Sequence, residues 1–470
     1  MPCTTILVGK NASYDGSCMI ARNDDSGSGH FTSKKMVVVH PDEQKRKYKS
    51  VISGVEINLP DHPMRYTSMP NAQKGEGIWA ASGVNAANVG MTATETITSN
   101  ARVLGADPLV KNGIGEEDLV YIVLPYIHSA KEGVLRLGSL LEEYGTYEMN
   151  GIAFEDTDEI WWLETIGGHH WMARRVPDDC YVVMPNQLGI DTFNFEDSKN
   201  YLCSADLKDF VDTYHLDLSF DGNFNPRDAF GSHDDSDHVY NTPRAWAMLR
   251  YLNPHDEEWQ TKGPQADDLP WCKVPEKKIT VEDVKYVLSN HFQGTPYDPY
   301  LSYGDKSMSG AYRSIGINRN DFLSVIQMKE GQETIEWVAY ASNAFNALVP
   351  FYANIETTPD YVSNTTGNVS TDNFYWSSRL LAAMADASYK QSLIHIERYQ
   401  NQVAAKAHEI LNAYNEKLKM ESNEEKKLAL RHKANEEMAS IVKDLTQDTL
   451  NKVLFELSSN MKNAYSRSDA

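Results

Sequence analysis

Short apolar blocks dominate the first three quarters of the chain, and a helical period takes over near its end. Residues 4–8 and 18–21 read as two strands joined by the turn-rich 11–17, where Tyr14-Asp15-Gly16 supplies the reversal. Such a hairpin brings Arg22 to Asp25 close to the start of the chain. Residues 36–39 and 77–81 predict further strands, 82–90 a turn and 91–98 a returning strand. Helices are expected at about 116–128 and 129–144. Leu119, Ile122 and Val123, then Val134, Leu137 and Leu141, recur there at helical spacing, Ser129 with Glu132 forms a capping-box pattern, and Gly145 marks a stop.

Between 151 and 184 the segments 152–154, 159–164, 170–176 and 181–184 predict an antiparallel meander, with Asn186 just past its last strand. Residues 187–275 read as an irregular insertion with small helices, one opened by Thr242 and Pro243 and carrying Arg244 in its first turn. A helix at 281–292, with Thr280 and Asp283 at its start, precedes strands at 311–317, 322–328 and 334–341. Helices then fill 375–419 and 424–460. The strands come in blocks separated by helix pairs, without βαβ alternation, which favours antiparallel sheets with helices packed outside. Ile441, Leu445, Leu450 and Leu454 give the last helix an apolar stripe suited to the core or to another subunit, so homo-oligomerisation stays open.

Charge removes several classes of function. The 470 residues carry 44 basic and 66 acidic side chains, a net charge of -22 that opposes attraction to nucleic acid or anionic membranes. No apolar run approaches the roughly 18 residues of a membrane span, and the start lacks a secretory pattern. The five cysteines, Cys3, Cys18, Cys180, Cys203 and Cys272, are scattered and form no Cys-x-x-Cys pair. That pattern argues against a disulfide framework or structural zinc and predicts a cytoplasmic protein.

Candidate chemistry centres on Cys3. A cysteine is commonly buried as a small hydrophobe, but this one precedes a strand whose hairpin partner ends in Arg22-Asn23-Asp24-Asp25. Once Met1 and Pro2 are gone, one residue offers both a thiol and the free α-amino group, nucleophile and base together. Elsewhere, Glu95 reads either as a ligand for a substrate ammonium or as an ordinary strand-end carboxylate. His233 to His238 reads as a solvated acidic loop rather than a metal site, Ser26-Gly27-Ser28-Gly29 as a loop beside the site, and His169-His170 as a strand turn with one ring packed.

The opening Cys3-Thr4-Thr5-Ile6-Leu7-Val8-Gly9 and Ala21-Arg22-Asn23-Asp24-Asp25 resemble the cysteine dipeptidases of lactic-acid bacteria, the dipeptidase A type, within the N-terminal nucleophile hydrolases. Penicillin V acylase and conjugated bile acid hydrolase are more distant relatives. The resemblance continues through Asn186-Gln187, Tyr240 to Arg244, Thr295 to Asp298 and Phe374 to Leu381.

The resemblance implies an α+β, four-layer αββα sandwich of two antiparallel sheets with flanking helices, built on residues 3–370, plus a helical region at 371–470. It implies hydrolysis of dipeptides through a Cys3 acyl-enzyme, without metal or organic cofactor. Arg22 would neighbour the nucleophile, Asp25 hold the terminal amine in competition with Asp24, Asn186 supply an oxyanion-hole amide, and Arg244 complete the site. Pro2 departs from relatives whose cysteine follows the initiator methionine directly or comes after a longer propeptide, so residues 1–2 are expected to be a short propeptide. The rival readings are an amidase for other acyl amides on the same fold, and a non-catalytic scaffold that retains it.

Overall fold

The computed structural model describes residues 3–461, so the expected propeptide, Met1 and Pro2, lies outside the described residues. A seven-stranded sheet runs, edge to edge, through Cys272–Lys273, Tyr181–Met184, Thr4–Val8, Cys18–Asp25, Asn320–Met328, Ile335–Tyr340 and Val349–Tyr352. A six-stranded sheet follows the order Tyr201–Cys203, His170–Arg175, Ile160–Ile166, Asn150–Glu155, Gly90–Thr96 and Ser82–Val84. Every ladder in both is antiparallel.

Side-chain alternation converts these sheets into layers. Leu7, Ile20 and Val182 of the first sheet and Ala153, Trp162 and Met172 of the second share one buried cluster between the sheets. Ile6, Met19 and Ala21 face outward beneath the helices Thr242–Leu252, Val281–Val287 and Phe374–Ala387. On the far side, Trp161, Leu163 and Phe154 pack under Glu116–Val123 and Ala130–Tyr144. The result is the αββα order, with Trp161 and Trp162 serving opposite layers, as their adjacent places in a strand require.

The two long helices Tyr389–Met420 and Glu424–Ser459 pack on each other and against the edge strand Val349–Tyr352. Leu450 is buried there, Ile441 and Leu445 are half-buried against the core, and Leu454 is exposed. Among the described residues no helix is long and apolar enough to cross a membrane.

Several expected elements differ. Residues 77–81 form no strand, because Trp79 and Ala81 take φ values of 50° and 51°; the strand comes later, at Ser82–Val84, where a turn was expected. Residues 311–317 form none either, since the N–H groups of Ile315 and Gly316 both go to the Asn290 carbonyl, at 2.8 and 2.9 Å. The helix from Glu116 ends at Val123 and tightens into a 3₁₀ turn around Pro125, whose missing N–H cannot continue it. The helix from Val281 stops at Val287, and the expected 375–419 helix breaks at Ser388.

Candidate active site

Thr4–Val8 lies inside the seven-stranded sheet, bonded on one side to Tyr181–Met184 and on the other to Cys18–Asp25. Cys3 is thereby carried to the end of an interior strand, where it is fully buried. The hairpin register sets Thr5 opposite Arg22 and Thr4 opposite Asn23. The Arg22 guanidinium donates to the Cys3 Sγ at 2.9 Å, pairs with Glu116 at 2.7 Å and Asp24 at 3.2 Å, and donates to the Ala93 carbonyl at 2.7 Å. Asp24, two residues along the strand, lies 3.9 Å from the Sγ and pairs with Lys34 at 2.8 Å. These charges are all buried, so each cation is needed to keep the carboxylates ionised.

Burial pushes the Cys3 thiol well above its ordinary range; Arg22 pulls it back, while Glu116, Asp24 and Glu95 push it further up. Burial also works against ionised Asp24, but Lys34 and Arg22 together hold its carboxyl below the usual range. Glu95 accepts from the Thr5 hydroxyl at 2.9 Å through one oxygen, and its other oxygen is buried without a hydrogen-bond partner. Burial raises this carboxyl to about 8, against the pull of Arg244 and Arg22.

Arg244 approaches from the first turn of Thr242–Leu252. It donates to the backbone carbonyl of Cys3, to the Thr4 hydroxyl at 2.6 Å, and to the side-chain oxygens of Asn186 and Asn241, each at 2.7 Å. Asn186 in turn donates to the Thr96 carbonyl at 3.0 Å and lines an open groove of about 520 Å³ with Thr96, Asp237, Tyr240 and Asn241. Asp25 is held by Arg313 and Asn320. The structure thus gathers Cys3, Arg22, Asn186 and Arg244 directly, with Glu95 one side chain away through Thr5. Of the two neighbouring aspartates, Asp24 touches the thiol and Asp25 faces the Arg313 side.

Glu116, Lys34, Arg313, Asn320 and Asn241 escaped the sequence reading. Glu116 sits in an acidic first turn, Glu116-Glu117-Asp118, which is ordinary for a helix N-terminus. Lys34 precedes another lysine, and nothing local shows that it is buried. The Cys3, Asp24 and Glu116 ligand atoms lie within 4.8 Å of one another, but Arg22 and Lys34 already engage those carboxylates, so the cluster is poorly suited to a metal cation. Of the other candidates, His238 bonds Asp267 at 2.7 Å, while His169 and His170 both bond Asp107, at 2.9 and 2.7 Å, and His170 stacks on Phe210.

The site thus places a buried thiol under a guanidinium at the end of an interior strand. Residues 2–402 match peptidase family C69, and the chain belongs to that family. It is 55% identical over 478 residues to "Probable dipeptidase A" of Streptococcus pyogenes serotype M3, with the whole of both chains covered. A "Dipeptidase" of Bifidobacterium longum is 50% identical over 532 residues, again with both chains fully covered. "Probable dipeptidase B" of Lactococcus lactis is 47% identical, covering 98% of this chain and 96% of that one.

Proposed function

We propose that this chain is a cysteine dipeptidase whose nucleophile is the Cys3 thiolate, set free when Met1 and Pro2 are removed. The names of the relatives support dipeptides as the substrate class, and the 2.9 Å contact between Arg22 and the Cys3 Sγ carries the choice of nucleophile. An unperturbed thiol titrates at about 8.5 and an α-amino group at about 7.7–8.0, a matched pair for proton exchange; at Cys3, burial and the nearby carboxylates work against the thiolate and Arg22 works for it. In this reading the amine takes the thiol proton, Arg22 steadies the thiolate, and sulfur attacks the peptide carbonyl. Asn186 donates to the oxyanion, the leaving amine is protonated by the α-ammonium, and water attacks the acyl-enzyme with the amine as base.

Asp25 is assigned to the released terminal amine, with Asp24 as its competitor. Glu95, with an oxygen free, is assigned to the substrate ammonium. Residues 3–370 form the catalytic core in this scheme, and the helical region that follows packs on that core or on a neighbouring subunit; its last residues, 462–470, lie outside the described residues. The free state of all five cysteines fits a cytoplasmic enzyme.

N-terminal sequencing and intact mass of the active protein test the scheme: the chain should begin at Cys3, and a fully active enzyme that still begins at Pro2 refutes it. Cys3→Ala should keep the fold and lose hydrolysis. A dipeptide panel assayed beside penicillin V and conjugated bile acids separates the amidase reading, which predicts turnover of the latter alone.

A further inference from the structure

The helices Val281–Val287 and Tyr389–Met420 flank a groove of about 540 Å³ on the outer face of the seven-stranded sheet, away from the inter-sheet layer. Its size is that of a small-molecule site, for which about 300–1,000 Å³ is usual. Val281, Trp337, Leu348, Leu393 and Ile396 supply apolar walls, and Lys285 is the single lysine or arginine among the lining residues. The Lys285 amine donates to the Asn343 carbonyl at 2.6 Å and, among the described residues, makes no ion pair.

A cation in such a place is unusual. Lys285 is half-buried; leucine or methionine would fill the wall without a desolvation cost, and charges taken out of water are ordinarily paired. The nearby carboxylates do not serve it: Glu282 pairs with His408 at 2.6 Å, and Glu397 is exposed on the outer helix. Burial alone accounts for the lowering of the amine to about 7, with no acid steadying its charge. The His291 ring is taken by Asp298 at 3.0 Å. A second donor lines the same groove, four residues after Lys285: the Ser289 hydroxyl is 7% exposed and has no hydrogen-bond partner.

We propose that this groove binds a small organic monocarboxylate with an apolar body. The carboxylate accepts hydrogen bonds from Lys285 and Ser289, and the hydrocarbon lies along Val281, Leu348 and Ile396. The ligand supplies the missing counter-ion, and the apolar walls favour a body without further charge. The site is separate from the dipeptide chemistry, so it stands or falls independently of the proposed nucleophile.

Calorimetric titration of the full-length protein with 3-phenylpropanoate tests it. Saturable binding is expected, weakened at least tenfold in Lys285→Met and abolished in Ala404→Phe, which fills the groove and leaves Lys285 in place. Hydrolysis should be unchanged in both variants. 3-Phenylpropan-1-ol, lacking the charge, and phenylalanine, adding an ammonium, should bind at least tenfold more weakly. No binding, equal binding in the variants, or equal binding of the alcohol overturns the proposal. Phenylalanine binding as tightly would reassign the site to free amino acids. A dimer that Leu393→Asp dissociates, without carboxylate uptake, would assign the face to a second copy.

Discussion

Arg22 holds two buried carboxylates and the sulfur at once, so its replacement is expected to act on both stability and activity. Arg22→Met removes the guanidinium from Asp24, which keeps Lys34, and from Glu116; loss of one side of a buried ion pair typically costs about 3–5 kcal/mol, and urea unfolding measures it. Arg22→Lys keeps the charge but not the planar fork that reaches three partners, so it should recover part of the stability and little of kcat. Glu116→Gln should act in a different direction. That carboxylate raises the thiol's proton affinity, and its neutralisation should move the onset of Cys3 alkylation by iodoacetamide to lower pH. If Asn186 donates to the oxyanion as proposed, Asn186→Ala predicts a kcat fall of about 10²–10³ with the fold retained. A strand end at Cys3, a hairpin return at Arg22 and a helix first turn at Arg244 leave local patterns in the sequence, while the roles proposed for Asn186 and Arg244 came from the family resemblance. Glu116 and Lys34 were not legible: their roles exist only where strand, loop and helix from distant segments meet.

Between elements, the most specific contact outside the site joins the final helix to the sheet edge. Asn435 of Glu424–Ser459 accepts from the Tyr352 N–H at 2.9 Å and donates to the Tyr352 carbonyl at 3.1 Å, completing the edge as another strand would. Asn435→Leu should therefore cost about 2–4 kcal/mol by leaving two buried backbone groups unpaired, seen as a lower urea midpoint with kcat unchanged. The strand it covers, Val349–Tyr352, was missed from sequence because it contains Pro350, tolerated at a sheet edge but a breaker elsewhere. The strand Ser82–Val84 was hidden by its shortness and by Gly83, where a Cβ would meet the Thr67 carbonyl at 2.0 Å. Long segments with sustained periods, such as Ala130–Tyr144 and Asn320–Met328, were read close to their true bounds because the burial that shapes them repeats along the chain.

Across the whole molecule, burial sets the pH response. It raises Glu95 to about 8 and Asp118, Glu164, Asp321 and Glu336 to about 7. Each carboxyl is protonated more readily in the folded chain than in the unfolded one, where about 4 is usual. Their contribution is complete below about pH 4 and is lost as pH rises through 7 to 8. Stability should therefore be higher at pH 5.5 than at pH 8.5, on the order of 2 kcal/mol or more, by urea unfolding at constant ionic strength. Glu336, fully buried and raised by burial against a single opposing contact from Thr67, isolates the effect: Glu336→Gln should flatten the slope, and an unchanged slope would show that other groups govern it.

The grip of Arg244 on the Cys3 carbonyl and the Thr4 hydroxyl also bears on how the chain tolerates change at its front. The first strand is secured from residue 3 onward by two ladders and this one side chain. Scission on the amino side of Cys3 therefore breaks none of those attachments and demands no refolding. Under the proposed maturation, leaders of different length should yield the same folded body, and activity would then read out their release.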